Sequence, residues 1–301
     1  MTIGVLVSRS TVAIAVALAL VAACSGSDAD PSEPLTTPDS TPESPAPAPS
    51  IETTMPSAGA TRTDGAELAE PGPFGVGRLN LETTDPDRDE RAVRLLVFYP
   101  AVTDAVRPAT EAAPDLTGAP YPVVVGDGNI GTSMGPHLAS HGFVFAAVIG
   151  QSTWGLAFNA NMIDFPLDHV VALDTLETLS DHPLAGVADT SRAGTVGYSF
   201  GGWDALMLTG ARIDPDHYAQ TCDSRPDAWS DNWWTYICGS PERWLQVVTR
   251  AEEVGIATPD GLWEPMGDER IKAAMPMGAE GFDMTGPAGL AEANAAVLLI
   301  G

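Results

Sequence analysis

Gly197-Tyr198-Ser199-Phe200-Gly201 places a serine between two glycines. An apolar segment at 192–196 precedes it, and residues 201–208 continue with apolar side chains at helical spacing. The stretch therefore predicts a sharp strand-to-helix turn whose glycines leave room for the neighbouring backbone. Such a turn holds Ser199 Oγ clear of the sheet and beside the first free N–H groups of a helix. A nucleophile belongs at this position, and a coincidental Gly/Ser turn is the alternative.

The rest of the folded part alternates strands with helices. Apolar runs predict strands at 77–82, 93–100, 121–125, 143–149, 271–277 and 295–300, with helices at 164–179 and up to 141–142. The first two strands pair across a polar turn at 85–90. The alternation predicts an α/β fold with a mostly parallel, doubly covered sheet. Because ligands bind at the carboxyl ends of such strands, Ser199 and a loop at 127–131 are expected to share one rim.

Residues 213–269 interrupt this alternation and are expected to form a cap insertion. The segment contains five of the seven tryptophans and two of the three cysteines. Its aromatic side chains either line a ligand pocket or form the core of the cap itself.

The first 70 residues are not expected to belong to the folded domain, which we assign to 71–301. Residues 1–23 read as an export signal, because the apolar run from 11 to 23 is too short to span a bilayer. The sequence Val-Ala-Ala-Cys ending at Cys24 resembles a bacterial lipobox, in which the cysteine carries lipid. Ordinary cleavage with a leftover thiol is the alternative. Residues 24–70 are rich in Pro, Ser and Thr and predict a disordered tether. The expected location is the bacterial cell surface, lipid-anchored, with plain secretion as the alternative.

Composition excludes several partners. The net charge is −26 and Lys272 is the sole lysine, so no basic patch exists to hold nucleic acid or anionic lipid head groups. The only expected membrane contact is through the N-terminal lipid. No Cys/His cluster has metal-ligand spacing, and no cofactor is expected. If Cys24 carries lipid, Cys222 and Cys238 remain to form a disulfide in an oxidising compartment, two free thiols being the alternative.

Five segments together resemble an α/β-hydrolase of the dienelactone hydrolase and platelet-activating-factor acetylhydrolase-like group. They lie at 72–77, 97–100, 138–144, 189–202 and 270–277. The resemblance covers 71–301 and implies a serine esterase acting on small-molecule or lipid esters with short or lipid-like acyl groups. It implies attack by Ser199 and an oxyanion site built from the backbone N–H groups of Phe200 and Asn129. Asp127 and Tyr198 depart from the family, which commonly has histidine at both positions.

Serine hydrolases of this fold use a catalytic triad in the chain order serine, then acid, then histidine. The acid and the histidine are harder to place than Ser199. No histidine follows the last predicted strand; the five are His137, His141, His169, His182 and His217. Capping, packing or solvation is the expected role of most of them. We expect the acid and the histidine beyond Gly301, together with a last strand and helix. Glu280 and Asp283 are the fallback acids within the sequence.

Two further hypotheses stay open on the sequence. One is a non-catalytic surface lipoprotein that uses the hydrolase fold as a binding module; Asp127 and the missing triad partners motivate it. The other keeps the enzyme but changes the ester to an exported polyester or cutin-type substrate.

Overall fold

The computed structural model describes residues 68–150, 159–225 and 230–300, apart from the side chain of Phe282. The predicted signal at 1–23, Cys24 and the tether up to residue 67 lie outside the described residues. None of the helices in the described ranges is both long and apolar enough to cross a membrane.

A single eight-stranded sheet forms the centre of the domain. Its strands in chain order are β1 (Gly75–Asp85), β2 (Arg91–Ala101), β3 (Ala109–Thr110), β4 (Tyr121–Asp127), β5 (Val144–Ile149), β6 (Ala188–Tyr198), β7 (Ile271–Met277) and β8 (Ala296–Val297). Their order across the sheet is β3-β1-β2-β5-β4-β6-β7-β8. β2 pairs antiparallel with β1 and β5, and all other pairs are parallel. The predicted α/β class with a mostly parallel sheet is confirmed.

Helices cover both faces of this sheet. The helices are α1 (Gly128–Ser140), α2 (Asn161–Thr178), α3 (Phe200–Met207), α4 (Pro215–Ser224), α5 (Asp231–Cys238), α6 (Pro241–Glu253) and α7 (Gly286–Leu290). β5 shows the layering directly, since successive side chains point to opposite faces. Val144 and Val148 pack in the cluster that contains α2, whereas Phe145 and Ala147 pack in the cluster that contains α1.

Most predicted elements are present, and the differences lie at their ends. The loop predicted at 127–131 is wrong: β4 runs through Asp127 and α1 begins at Gly128. The reason is local, because the Asp127 carboxylate accepts hydrogen bonds from the N–H groups of Asn129 and Ile130 and caps the helix. β6 also begins earlier than predicted, at Ala188. The strand predicted at 295–300 is reduced to two residues plus a bridge between Met277 and Ile300.

The insertion between α3 and β7 consists of helices α4, α5 and α6. Cys222 and Cys238 form a disulfide, with Cα atoms 5.4 Å apart, that joins α4 to the end of α5. Trp244 stacks on the buried Trp263 with ring centroids 5.6 Å apart, and both belong to the cluster that packs against α2 and α3. These two tryptophans therefore form core of the insertion.

A buried group of charges ties α2 to the hairpin of β1 and β2. The Arg88 guanidinium is 4% exposed and bonds Asp85, Asp164 and Asp168, the last at 2.8 Å. Arg91 bonds Asp168 at 2.9 Å. Several carboxylates thus share a few guanidinium groups in a largely buried region, so removal of one guanidinium leaves buried charge less well compensated.

Replacement Arg88→Ala is expected to lower the free energy of unfolding by about 3–5 kcal/mol, because it leaves Asp85 without a guanidinium partner and removes one partner each from the buried Asp164 and Asp168. The exposed pair between Arg192 and Asp189 offers the matched control: Arg192→Ala should cost under about 1 kcal/mol. Denaturant unfolding of the two variants measures both. Equal losses in the two variants would contradict the role given to the buried charges.

Candidate active site

Ser199 lies on the turn between β6 and α3 in a backbone conformation that side chains rarely adopt. Its φ is 57° and its ψ is −117°. Such a conformation costs about 1–3 kcal/mol and persists only where the surroundings hold it. Hydrogen bonds hold both sides of this residue. Its N–H donates to Met277 O at 2.9 Å, and its carbonyl accepts from Gly202 and Trp203 at 2.9 and 3.3 Å.

The two flanking glycines are required by close contacts. A Cβ on Gly197 would lie 1.9 Å from the carbonyl oxygen of Gly201, and a Cβ on Gly201 would lie 2.2 Å from Asp127 Oδ2. No side chain fits at either distance. The structure therefore confirms the predicted strand-to-helix turn, and it places Asp127 on the same rim as Ser199, as the parallel sheet predicts.

Glu280 is the partner of the serine. Ser199 Oγ donates a hydrogen bond to Glu280 Oε1 at 2.5 Å, and the Glu280 N–H donates to the Ser199 carbonyl at 3.2 Å. Both residues are half-buried. The sequence predicts Glu280 as a fallback acid that would bond a catalytic histidine. In the structure it bonds the serine hydroxyl directly. The close pairing of β6 and β7 explains this, because Glu280 follows β7 by three residues.

Tyr236 completes a chain of three side chains. Its hydroxyl donates to Glu280 Oε2 at 2.8 Å. Burial and the hydrogen bond to the Glu280 carboxylate raise the pKa of Tyr236, so the hydroxyl keeps its proton and remains a donor. Sequence reasoning missed this residue, since Tyr236 is 44 positions from Glu280 and the packing of α5 alone brings them together.

Asp283, the other fallback acid, makes no hydrogen bond to Ser199. Its Oδ2 is buried and finds no partner among the described residues. Burial raises the pKa of Asp283, and the nearby His217 opposes that effect. Asp283 is therefore placed toward α4.

None of the five histidines, all of which lie in the described ranges, bonds Ser199. His137 and His141 bond the carbonyls of Leu68 and Glu70, and the His182 ring accepts from Leu184 N–H. The buried His169 bonds the Phe165 carbonyl, and burial lowers its pKa. His217 lies 3.3 Å from Thr221 Oγ1. Capping, packing or solvation is the role that the sequence predicts for His141, His169 and His182.

The backbone donors predicted for an oxyanion site differ in their present bonding. Phe200 is the first residue of α3, so its N–H has no partner within the helix. The Asn129 N–H already donates to Asp127 Oδ1 at 2.8 Å. A role for Asn129 in an oxyanion site requires the Asp127 carboxylate to release that N–H.

Strand order and turn together define the fold. β1 and β2 form an antiparallel pair at one side of a parallel sheet. β5 lies between β2 and β4, so the chain crosses over between these strands, and the serine turn follows β6. This arrangement is the α/β-hydrolase fold. In the described part of the chain no group of three or more His, Cys, Asp or Glu side chains is placed to hold a metal ion.

Comparison with known proteins finds similar chains among solved structures. The sequence matches no family model, and it matches no curated protein. Among solved structures it is similar to a ferulic acid esterase from Streptomyces cinnamoneus, with 17% identity and a TM-score of 0.43 over 78% of this chain and 67% of that one. The assignment of the fold therefore rests on the strand order and the serine turn.

Proposed function

We propose that the protein is an exported serine ester hydrolase that cleaves short-acyl or lipid-like carboxylic esters through an acyl-enzyme on Ser199. The observation that carries the proposal is the strained turn at Ser199 with its hydroxyl bonded to Glu280 at 2.5 Å. A hydroxyl at such a turn is poised for attack, and a carboxylate within hydrogen-bond reach is a candidate base.

The proton path follows from these contacts. Ser199 Oγ attacks the ester carbonyl carbon while Glu280 Oε1 takes the serine proton. The carbon–oxygen bond to the alcohol breaks, and the alcohol leaves with that proton. Water then attacks the acyl-serine ester, gives a proton to Glu280, and the proton returns to Ser199 Oγ as the acid departs. Tyr236 acts as a positioning residue, because its hydroxyl fixes the other Glu280 oxygen at 2.8 Å.

The charge that develops on the carbonyl oxygen needs a donor. The N–H of Phe200, at the start of α3, is the donor we assign to it. Asn129 is the second donor if Asp127 releases its N–H. The Asp127 carboxylate lies against Gly201, so in its charged form it opposes an oxyanion.

The position of the Asp127 carboxyl group beside the serine turn is the specific observation in favour of the rival function, a binding module without catalysis. In the rival, Ser199 and Glu280 form a static hydrogen bond. The two functions differ in whether Ser199 reacts.

A fluorophosphonate probe separates the two. The full-length protein should be acylated by the probe, and Ser199→Ala should abolish labelling because the probe reacts only with an activated serine. Ser191→Ala is the control, since Ser191 is an exposed serine bonded to Asp189, and it should label like the native protein. A native chain that unfolds cooperatively yet stays unlabelled would overturn the esterase and favour the binding module.

Glu280 is tested through turnover of a short p-nitrophenyl ester. Glu280→Gln should lower kcat/KM by about 10²–10⁴-fold, because an amide cannot accept the serine proton. Tyr236→Phe should lower kcat/KM about tenfold, because the Glu280 carboxylate loses the hydrogen bond that fixes its position. Asp283→Asn is the matched control and should stay within about threefold of native. Full activity in Glu280→Gln would show that another group is the base.

Export and anchoring rest on the N-terminal sequence, and the disulfide between Cys222 and Cys238 fits an oxidising compartment. In a bacterial host, the native chain should incorporate labelled fatty acid and sediment with membranes. Cys24→Ala should lose both, because the lipid attaches at that thiol. Absence of fatty acid on the native chain would favour ordinary cleavage and secretion.

A further inference from the structure

A small cavity lies at the carboxyl ends of three neighbouring strands, beside the turn that carries Ser199. Its volume is about 220 Å³. Its walls include Asp127 from β4, residues 148–150 at the end of β5, Phe165 from α2, and Gly201 and Asp204 from α3. α1 leaves β4 toward one face and α2 leaves β5 toward the other. The cavity thus occupies the crevice where open α/β sheets bind ligands.

Two carboxyl groups line this cavity with oxygens that have no partner. Asp127 is 8% exposed and Asp204 is 2% exposed. Asp127 Oδ2 and Asp204 Oδ1 are buried and accept no hydrogen bond from any described residue. The other Asp127 oxygen is committed to capping α1. Buried carboxylate oxygens are almost always satisfied, so an orphaned pair indicates a missing positive or donating group.

The basic side chains of this region are already engaged elsewhere. Arg88 and Arg91 bond Asp164 and Asp168, and Arg250 bonds Asp164 at 3.0 Å. In the described ranges no basic side chain forms an ion pair with either cavity carboxylate. The nearest histidine, His169, bonds the Phe165 carbonyl, and burial lowers its pKa so that the ring favours the neutral form.

The protonation of Asp204 is consistent with two neighbouring carboxyl groups that lack a positive partner. Burial, and then the charges of Asp127 and Asp168, raise the pKa of Asp204 well above its usual range. An empty cavity therefore keeps a proton on Asp204, whereas a positive charge between the two groups would replace that proton.

The lining distinguishes between kinds of cation. A metal ion needs more ligands than two carboxylates, and no set of three ligating side chains exists in the described part of the chain. An ammonium group needs only two or three acceptors, and the Phe165 ring suits both its charge and an attached carbon chain.

We propose that this cavity binds a protonated primary amine, held between Asp127 Oδ2 and Asp204 Oδ1. The site takes a free amine or the amino group of a larger molecule. Its existence is independent of whether Ser199 hydrolyses esters, so binding is tested without turnover.

The experiment titrates ethylammonium chloride into the full chain at pH 8 and follows the thermal unfolding midpoint and the heat of binding. Sodium chloride at equal ionic strength controls for screening, and ethanol is the uncharged analogue. Ethylammonium should raise the midpoint saturably, and the two controls should not. In Asp204→Asn its affinity should fall about tenfold or more, because one charge-assisted hydrogen bond is lost.

Asp181→Asn is the matched control, since it makes the same substitution at an exposed, left-handed position where asparagine fits. It should bind as the native chain does. Asp127→Asn is the second cavity variant, because asparagine still caps α1, and it should also weaken binding if Asp204→Asn fails to fold. A response no larger than that of sodium, unchanged affinity in the cavity variants, or saturable binding of calcium in place of the amine would overturn the proposal.

Discussion

The contact between the backbones of residues 197 and 201 constrains the whole active-site region. A Cβ on Gly197 would come within 1.9 Å of the Gly201 carbonyl oxygen, so the chain can turn from β6 into α3 only with no side chain at position 197. The turn forces Ser199 to a φ of 57° and fixes where its hydroxyl emerges. This strained conformation persists because the sheet on one side and the buried helix α3 on the other hold the turn in place.

From this constraint the neighbours of the serine follow. β7 pairs with β6 up to Tyr198 and Met277, so the residues after β7 necessarily pass the serine. Glu280 meets the hydroxyl there, and α5 of the insertion supplies Tyr236 from the other side. The insertion thus supports the serine site through the Tyr236 hydroxyl, while Trp244 and Trp263 stack on each other within the cluster that includes α2 and α3.

Two groups of buried carboxylates in this domain differ in their partners. Those on the β1–β2 hairpin and α2 share guanidinium partners in a closed network. Asp127 and Asp204 have oxygens without a partner and line a cavity beside the serine turn. Stability explains the first group, since each charge is compensated. The second group has no compensation within the described chain, and this contrast is why a positively charged ligand is inferred.

Sequence by itself determined the serine turn and the order of strands and helices, because each depends on local spacing or on residue type. One predicted boundary, between β4 and α1, was wrong because the Asp127 side chain caps α1. Only the tertiary structure decided that Glu280 meets Ser199, that Tyr236 supports it and that Asp127 and Asp204 share a cavity. These contacts join residues 44 to 81 positions apart or on different elements, and no local pattern encodes such distances.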